Sequence, residues 1–131
     1  MTIFDAASPG ERRQLFAAAI AAHRERASEF CTFEPDTLPS DSEDDLVPWI
    51  QVGTSTVSMD CTDAELDRLK TLVGDYPDFR IDELISPEEA DGTHARISSR
   101  SDAARLASFC DNVFQSVFGY EETYRGWVVS I

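Results

Sequence analysis
The sequence predicts an α+β sandwich, an antiparallel sheet backed by helices, and three observations support that prediction. The chain has 131 residues, the size of one domain, and is 42% hydrophobic with 8 Phe, 3 Tyr and 2 Trp. That is enough apolar surface to build one core in spite of the charge. From Leu46 onward a pair of capped amphipathic helices recurs, each preceded and followed by a strand-like stretch.

The first element is a helix with a clear start. Ser8-Pro9-Gly10-Glu11 reads as a capping box, in which Ser8 accepts a first-turn amide, Glu11 reaches back and Pro9 suits the first helical position. Behind it Leu15, Phe16, Ala19, Ile20, His23, Ala27 and Phe30 recur at helical spacing, with Arg12, Arg13, Arg24, Glu25 and Glu29 between them. Residues 1–33 are therefore assigned to an N-terminal amphipathic helix, and His23 to a satisfied position on or beside its apolar face. Residues 34–46 bring Pro35, Pro39, Ser40, Ser42 and a run of acids without one cation, the composition of a solvated acidic loop.

Residues 47–131 carry the sandwich. Thr62-Asp63-Ala64-Glu65 caps a helix with Leu66, Leu69, Leu72 and Val73 inward and Gly74 just past its end. Ser101-Asp102-Ala103-Ala104 caps another with Leu106, Phe109, Cys110, Val113 and Val117 inward and Gly119 past its end. Strands are predicted at Ser55–Cys61, Phe79–Leu84, His94–Ser99 and Tyr124–Ile131, with the turn-rich Ser86–Gly92 joining the middle pair. The order strand, helix, strand, strand, helix, strand is that of the ferredoxin-like βαββαβ sandwich: four antiparallel strands with both helices on one face. The N-terminal helix is expected to cover the other face, or else to mediate dimerisation. Trp49 to Met59 is ambiguous. Ile50 and Val52 alternate in one phase, Val57 and Met59 in the other, so the segment is either one bulged strand or a hairpin that adds an edge strand.

Charge narrows the setting. The chain sets 25 Asp and Glu against 11 Lys and Arg, a net charge of −14, and Lys70 is its single lysine. Acid excess with arginine in place of lysine matches a cytoplasm of molar salt, where the Debye length falls to about 3 Å and self-repulsion costs little. Without any cluster of cations along the sequence, a nucleic-acid partner is not expected. No apolar run approaches the roughly 18 residues that span a bilayer, and the first residues lack the pattern of a signal peptide, so a cytoplasmic protein without a membrane partner is expected.

Chemical motifs are sparse. Cys31, Cys61 and Cys110 fit neither a disulfide framework nor metal-ligand spacing and read as small buried hydrophobes. His23 and His94 are the only histidines, so neither a metal site nor a cofactor is expected. Carboxylate pairs such as Asp82 with Glu83 belong on solvated faces in so acidic a chain, and no catalytic residue is assigned. The residues that stand out are amphipathic. Trp49, Tyr124 and Trp127 with Arg125 form an aromatic and arginine set of the kind enriched in interfaces, and His94 with Arg96 begins a strand as a candidate anion-binding pair.

The segment Gly119-Tyr120-Glu121-Glu122-Thr123-Tyr124-Arg125-Gly126-Trp127-Val128-Val129, taken with the composition, resembles a small family of haloarchaeal proteins carried as uncharacterised. The resemblance implies a haloarchaeal origin and carries no activity.

The function expected is a non-enzymatic interaction or regulatory module that binds itself, as a homodimer, or another protein. The alternative is a small-molecule-binding or minimal enzymatic sandwich, with a pocket between the sheet and the N-terminal helix or at a dimer seam, lined by His94, Arg96 and Arg125.

Overall fold
A computed structural model describes residues 5–26, 30–36, 48–86 and 92–130. Its elements are β1 (Asp5–Ala6), α1 (Pro9–Arg26), β2 (Cys31–Pro35), β3 (Ile50–Val52), β4 (Thr56–Cys61), α2 (Asp63–Gly74), β5 (Arg80–Ile85), β6 (Thr93–Ser98), α3 (Ala103–Asn112) and β7 (Gly126–Ser130). Helix α3 continues into a π-helical stretch, Val113–Val117.

The helices begin where their caps predict. Ser8 Oγ accepts the Glu11 amide at 3.4 Å. At α2 the capping box is complete: Thr62 Oγ1 accepts the Glu65 amide at 3.2 Å and the Thr62 amide donates to Glu65 Oε1 at 2.8 Å. Asp102 Oδ1 accepts the Arg105 amide at 2.8 Å to start α3. Each cap satisfies backbone donors that the first helical turn leaves without intrahelical partners. Two ends differ from expectation. Gly74 closes α2 from inside, with Asp75 as its C-cap. Helix α1 is described over Pro9–Arg26, Phe30 is not helical, and Cys31–Pro35 is a strand whose residues alternate between buried and half-buried. Glu34 and Pro35, assigned by sequence to the acidic loop, thus belong to β2, and positions 37–46 of that loop lie outside the described residues, as do positions 87–91 of the turn before β6.

The sheet has seven strands in the order β1-β7-β2-β3-β4-β6-β5, and every pairing is antiparallel. This corrects the four-stranded ferredoxin-like prediction while keeping its α+β class. Among the four predicted strands the relative order is β7, β4, β6, β5, but β2 and β3 are inserted between β7 and β4, and β1 is added at the edge. The segment from Trp49 to Met59 is the hairpin: Gln51 pairs with Ser58 and Val52 with Val57, and the Gly53 amide donates to the Thr56 carbonyl at 2.9 Å. Its first strand lies inside the sheet because β2 takes the place beside it. Strands β4 and β5 therefore run parallel with β6 between them. Strands β6 and β7 also run parallel, separated by β4, β3 and β2.

All three helices pack on one face. Phe16, Ala19 and Ile20 of α1, Leu69 and Leu72 of α2, and Leu106, Phe109 and Cys110 of α3 join Cys31, Phe33, Ile50, Val52, Val57, Met59, Ala95 and Ile97 of the strands in one buried cluster. The N-terminal helix thus lies with α3 on the core side, and the expectation that it covers the opposite face is not met. Two aromatic nuclei fill the core. Phe16 stacks on Phe33 at 4.2 Å between centroids, and Phe79 stacks on Phe109 at 4.4 Å with Tyr76 edge-on to both. The three cysteines are buried and free, as expected, and burial pushes the Cys31 and Cys61 thiols up to about 12. They stay protonated and unreactive at neutral pH.

Gly92 enters β6 at φ +103°, where a Cβ would stand 2.8 Å from the Cys61 carbonyl oxygen. Backbone cannot yield there, so both conformation and space require glycine.

Candidate functional site
Strand alternation creates a second face. With Ile50, Val52, Val57, Met59, Ala95 and Ile97 turned into the core, the residues between them point the other way. No described helix lies on that side. Register sorts its side chains into rows across β3, β4, β6 and β5. One row runs Gln51, Ser58, Arg96, Glu83. The next runs Asp60, His94, Ile85, and Trp49 joins it with its ring 6.1 Å from that of His94.

The sequence-predicted residues Trp49, His94 and Arg96 are therefore neighbours. His94 Nδ1 is 2.8 Å from Asp60 Oδ1, which fixes the ring and leaves Nε2 as its other binding nitrogen. Arg96 Nη2 donates to the Glu83 carboxylate. Arg96 Nε is shielded from solvent and has no hydrogen-bond partner among the described residues, a state that folded proteins seldom leave to a buried donor. Ile85, 46% exposed, adds aliphatic surface at the edge. The arrangement sets an oriented imidazole, a guanidinium paired with Glu83 and an indole on one face. Exposed ion pairs contribute about 0–1 kcal/mol each, so this row is worth little to stability.

The other predicted residues lie elsewhere. Trp127 is on the same face but opposite Glu34 and Asp5, far along the sheet from β6, and its indole donates to Asp36. Arg125 pairs with Asp5, and its Nε lies 4.0 Å from Asp36 Oδ2. His94, Arg96 and Arg125 consequently do not line one pocket. Tyr124 is turned inward and belongs to the core.

Tyr124 leads to a buried network that no sequence motif announces. Arg12, fully buried, donates from Nε to Asp111 Oδ1 at 2.8 Å and from Nη1 to the Tyr124 carbonyl at 2.8 Å and the Ala7 carbonyl at 3.1 Å. Tyr124 Oη donates to Asp111 Oδ1 at 2.8 Å, Gln115 Nε2 donates to Oδ2 at 3.1 Å, and the Arg12 guanidinium lies 4.0 Å from the centre of the Tyr124 ring. The network staples α1 to α3 and to the approach of β7. A weaker signal was present: Arg12 shares the helical stripe of Phe16, Ala19 and His23, and Asp111 directly follows inward-facing Cys110.

Burial, the charge of Asp111 and the bond donated to it push the Tyr124 phenol far above its ordinary value, with Arg12 opposing. An unfolded tyrosine ionises near pH ~10, whereas folded Tyr124 keeps its proton there. The contribution to stability is thus complete below pH ~10 and declines as pH rises past it, because only the unfolded chain sheds the proton. Native tyrosinate absorbance on alkaline titration is expected to be the same for wild type and Tyr124→Phe. A smaller native amplitude in the variant would contradict a buried, protonated Tyr124.

Fold and site define a class: an α+β protein with one antiparallel sheet, all described helices on one face, and a polar face edged by aromatic and aliphatic side chains opposite. Among the described residues no group of three or more His, Cys, Asp or Glu is placed to hold a metal ion, and no helix is long and apolar enough to cross a membrane. Over residues 1–131 the chain matches, and belongs to, the family described as "Family of unknown function (DUF7975)". No curated protein and no solved structure matches it.

Proposed function
We propose that the protein is a non-enzymatic interaction module of a salt-rich, haloarchaeal cytoplasm, and that it docks a protein partner on the second face of its sheet. The observation that carries this reading is the grouping of Trp49, Asp60, His94, Arg96 and Ile85 on a face that no described helix occupies. An indole beside an imidazole, with an arginine in the neighbouring row, has the composition of an interface hot spot. The acid-rich, lysine-poor composition supports the salt-rich setting. A pocket between sheet and N-terminal helix finds less support, since Arg12, Phe16 and Ile20 fill that seam.

The test compares wild type with a Trp49→Ala, His94→Ala double variant in about 2 M KCl, where charge attraction is screened and apolar contact persists. Wild type is expected to co-purify with one stoichiometric protein, or to show twice its chain mass by light scattering. The variant should lose that species, with affinity weakened about thirtyfold or more and its melting temperature nearly unchanged. Retention of the same species by the variant, or a wild type that is monomeric and alone, would overturn the reading.

A further inference from the structure
One register row crosses five strands of the second face with carboxylates and indoles in alternation. Trp127 of β7 stands opposite Asp5 of β1 on one side and Glu34 of β2 on the other. Phe33 pairs with Ile50, so one step further along the antiparallel ladder Glu34 faces Trp49. Beyond Trp49, the register that sets Gln51 against Ser58 carries the row to Asp60 of β4. The order is therefore Asp5, Trp127, Glu34, Trp49, Asp60, at the strand spacing of about 4.8 Å. Glu34 sits in the middle, between two tryptophans whose backbones are about 10 Å apart.

The three acids of the row differ in their partners. Asp5 takes Arg125, and Asp60 Oδ1 lies 2.8 Å from His94 Nδ1. Glu34 has no ion pair or hydrogen bond to any described residue. Its neighbours make their contacts elsewhere: the Trp49 ring lies 6.1 Å from that of His94, and Trp127 Nε1 donates to Asp36. Glu34, Trp49 and Trp127 are all half-buried on a face that no described helix occupies. A carboxylate without a counter-charge, flanked by indoles, offers the two contacts that a guanidinium makes together. The fork of N–H groups bonds the carboxylate, and the plane stacks on an indole. An ammonium fits less well, because it is more strongly hydrated and has no plane to stack. Both contacts are short-ranged and persist in salt that screens attraction beyond a few ångströms. An open sheet does not enclose a small ligand, so the cation fits as one side chain of a larger docked surface.

We propose that Glu34, Trp49 and Trp127 seat an arginine side chain presented by the docked protein. The inference rests on the docking reading and names the chemistry of that partner: its anchor is a guanidinium.

Trp49 and Trp127 are the only tryptophans of the chain, so its tryptophan fluorescence reads this row directly. The probes are the peptide acetyl-Gly-Arg-Gly-Arg-Gly-amide and its lysine and citrulline counterparts, titrated into the full chain in about 2 M KCl. The arginine peptide is expected to change the fluorescence saturably and the lysine peptide to bind about threefold or more weakly. The citrulline peptide, which keeps the shape without the charge, should give no saturable change. Glu34→Gln should weaken binding of the arginine peptide about tenfold and leave the melting temperature nearly unchanged. No saturable change with the arginine peptide would overturn the proposal, as would equal binding of the lysine or citrulline peptide or unchanged affinity in Glu34→Gln. Partner capture separates this inference from the docking reading. A protein lost from the Trp49→Ala, His94→Ala variant but fully kept by Glu34→Gln leaves docking in place and removes the arginine anchor. A monomeric wild type that captures no protein yet binds the arginine peptide removes the docking reading and keeps the guanidinium seat.

Discussion

Asp111→Ala is expected to destabilise the fold by about 3–5 kcal/mol, because it strands the buried Arg12 guanidinium without a counter-charge. Among the described residues Arg12 has no other counter-charge: its Nε bonds Asp111, its Nη1 is held by two carbonyls, and its Nη2 has no hydrogen-bond partner there. Domains of this size are stable by only about 5–15 kcal/mol, so the variant approaches the limit of folding. Two further variants separate charge from packing. Asp111→Asn keeps an acceptor for Tyr124 but removes the charge and should cost less. Replacing Arg12 by Met together with Asp111 by Leu removes both charges and should recover most of the loss, since the desolvation cost vanishes with the pair. Denaturant unfolding at fixed KCl checks all three. A loss below about 1 kcal/mol for Asp111→Ala would mean that water reaches the arginine.

Phe16→Ala should cost about 3–5 kcal/mol, comparable to the loss of Asp111, through a cavity that rigid neighbours cannot close. The ring stacks on Phe33, lies 6.2 Å from Phe114, and has its tip against Gly126. A Cβ at position 126 would come within 2.8 Å of Phe16 Cζ, 3.3 Å of Tyr124 Cε2 and 3.4 Å of Arg12 Cδ. Gly126→Ala alone should therefore destabilise by about 1–3 kcal/mol through overpacking. Once Phe16 is Ala, the closest clash is gone and the cost should fall to the smaller strain of the contacts with Tyr124 and Arg12. Equal costs in the two backgrounds would show that the glycine is required by something other than the ring.

How much of this was legible follows the range of each interaction. The caps at Ser8, Thr62 and Asp102 are local signals within four residues, and they place the starts of all three helices. The alternation of β4 and β6 and the helical stripes of α2 and α3 are also local, and they order the chain correctly from β4 onward. Strand β2 was hidden because Ala27 and Phe30 continue the helical spacing of α1 up to Cys31, so one period overran another. Sheet order was hidden for a different reason: antiparallel neighbours leave no mark of which strand they pair with, and β2 and β3 fit beside β4 as well by pattern as β7 does. Trp49, His94 and Arg96 were legible as amphipathic residues on strand-like segments. Asp60 was not, since one acid among 25 carries little information until register sets it beside His94. Arg12 and Asp111 are 99 residues apart, and their pairing exists only in the folded chain.

The long crossover from β6 to β7 also fixes an order of events at the ribosome. Strands β4, β5 and β6 with helix α2 are neighbours along the chain and can assemble as soon as Ser98 has emerged. Strand β7 pairs Gly126 with Ala6 and Trp127 with Glu34, contacts that span nearly the whole polypeptide. Until it arrives, the outer edge of β2 has no partner on that side and Arg12 lacks the Tyr124 carbonyl. A nascent chain thus carries an open strand edge for most of its synthesis, and closure of the sheet is a late event dominated by the entropy of joining distant segments. In native-state hydrogen exchange the same seam between β1 and β7 should be among the first to open.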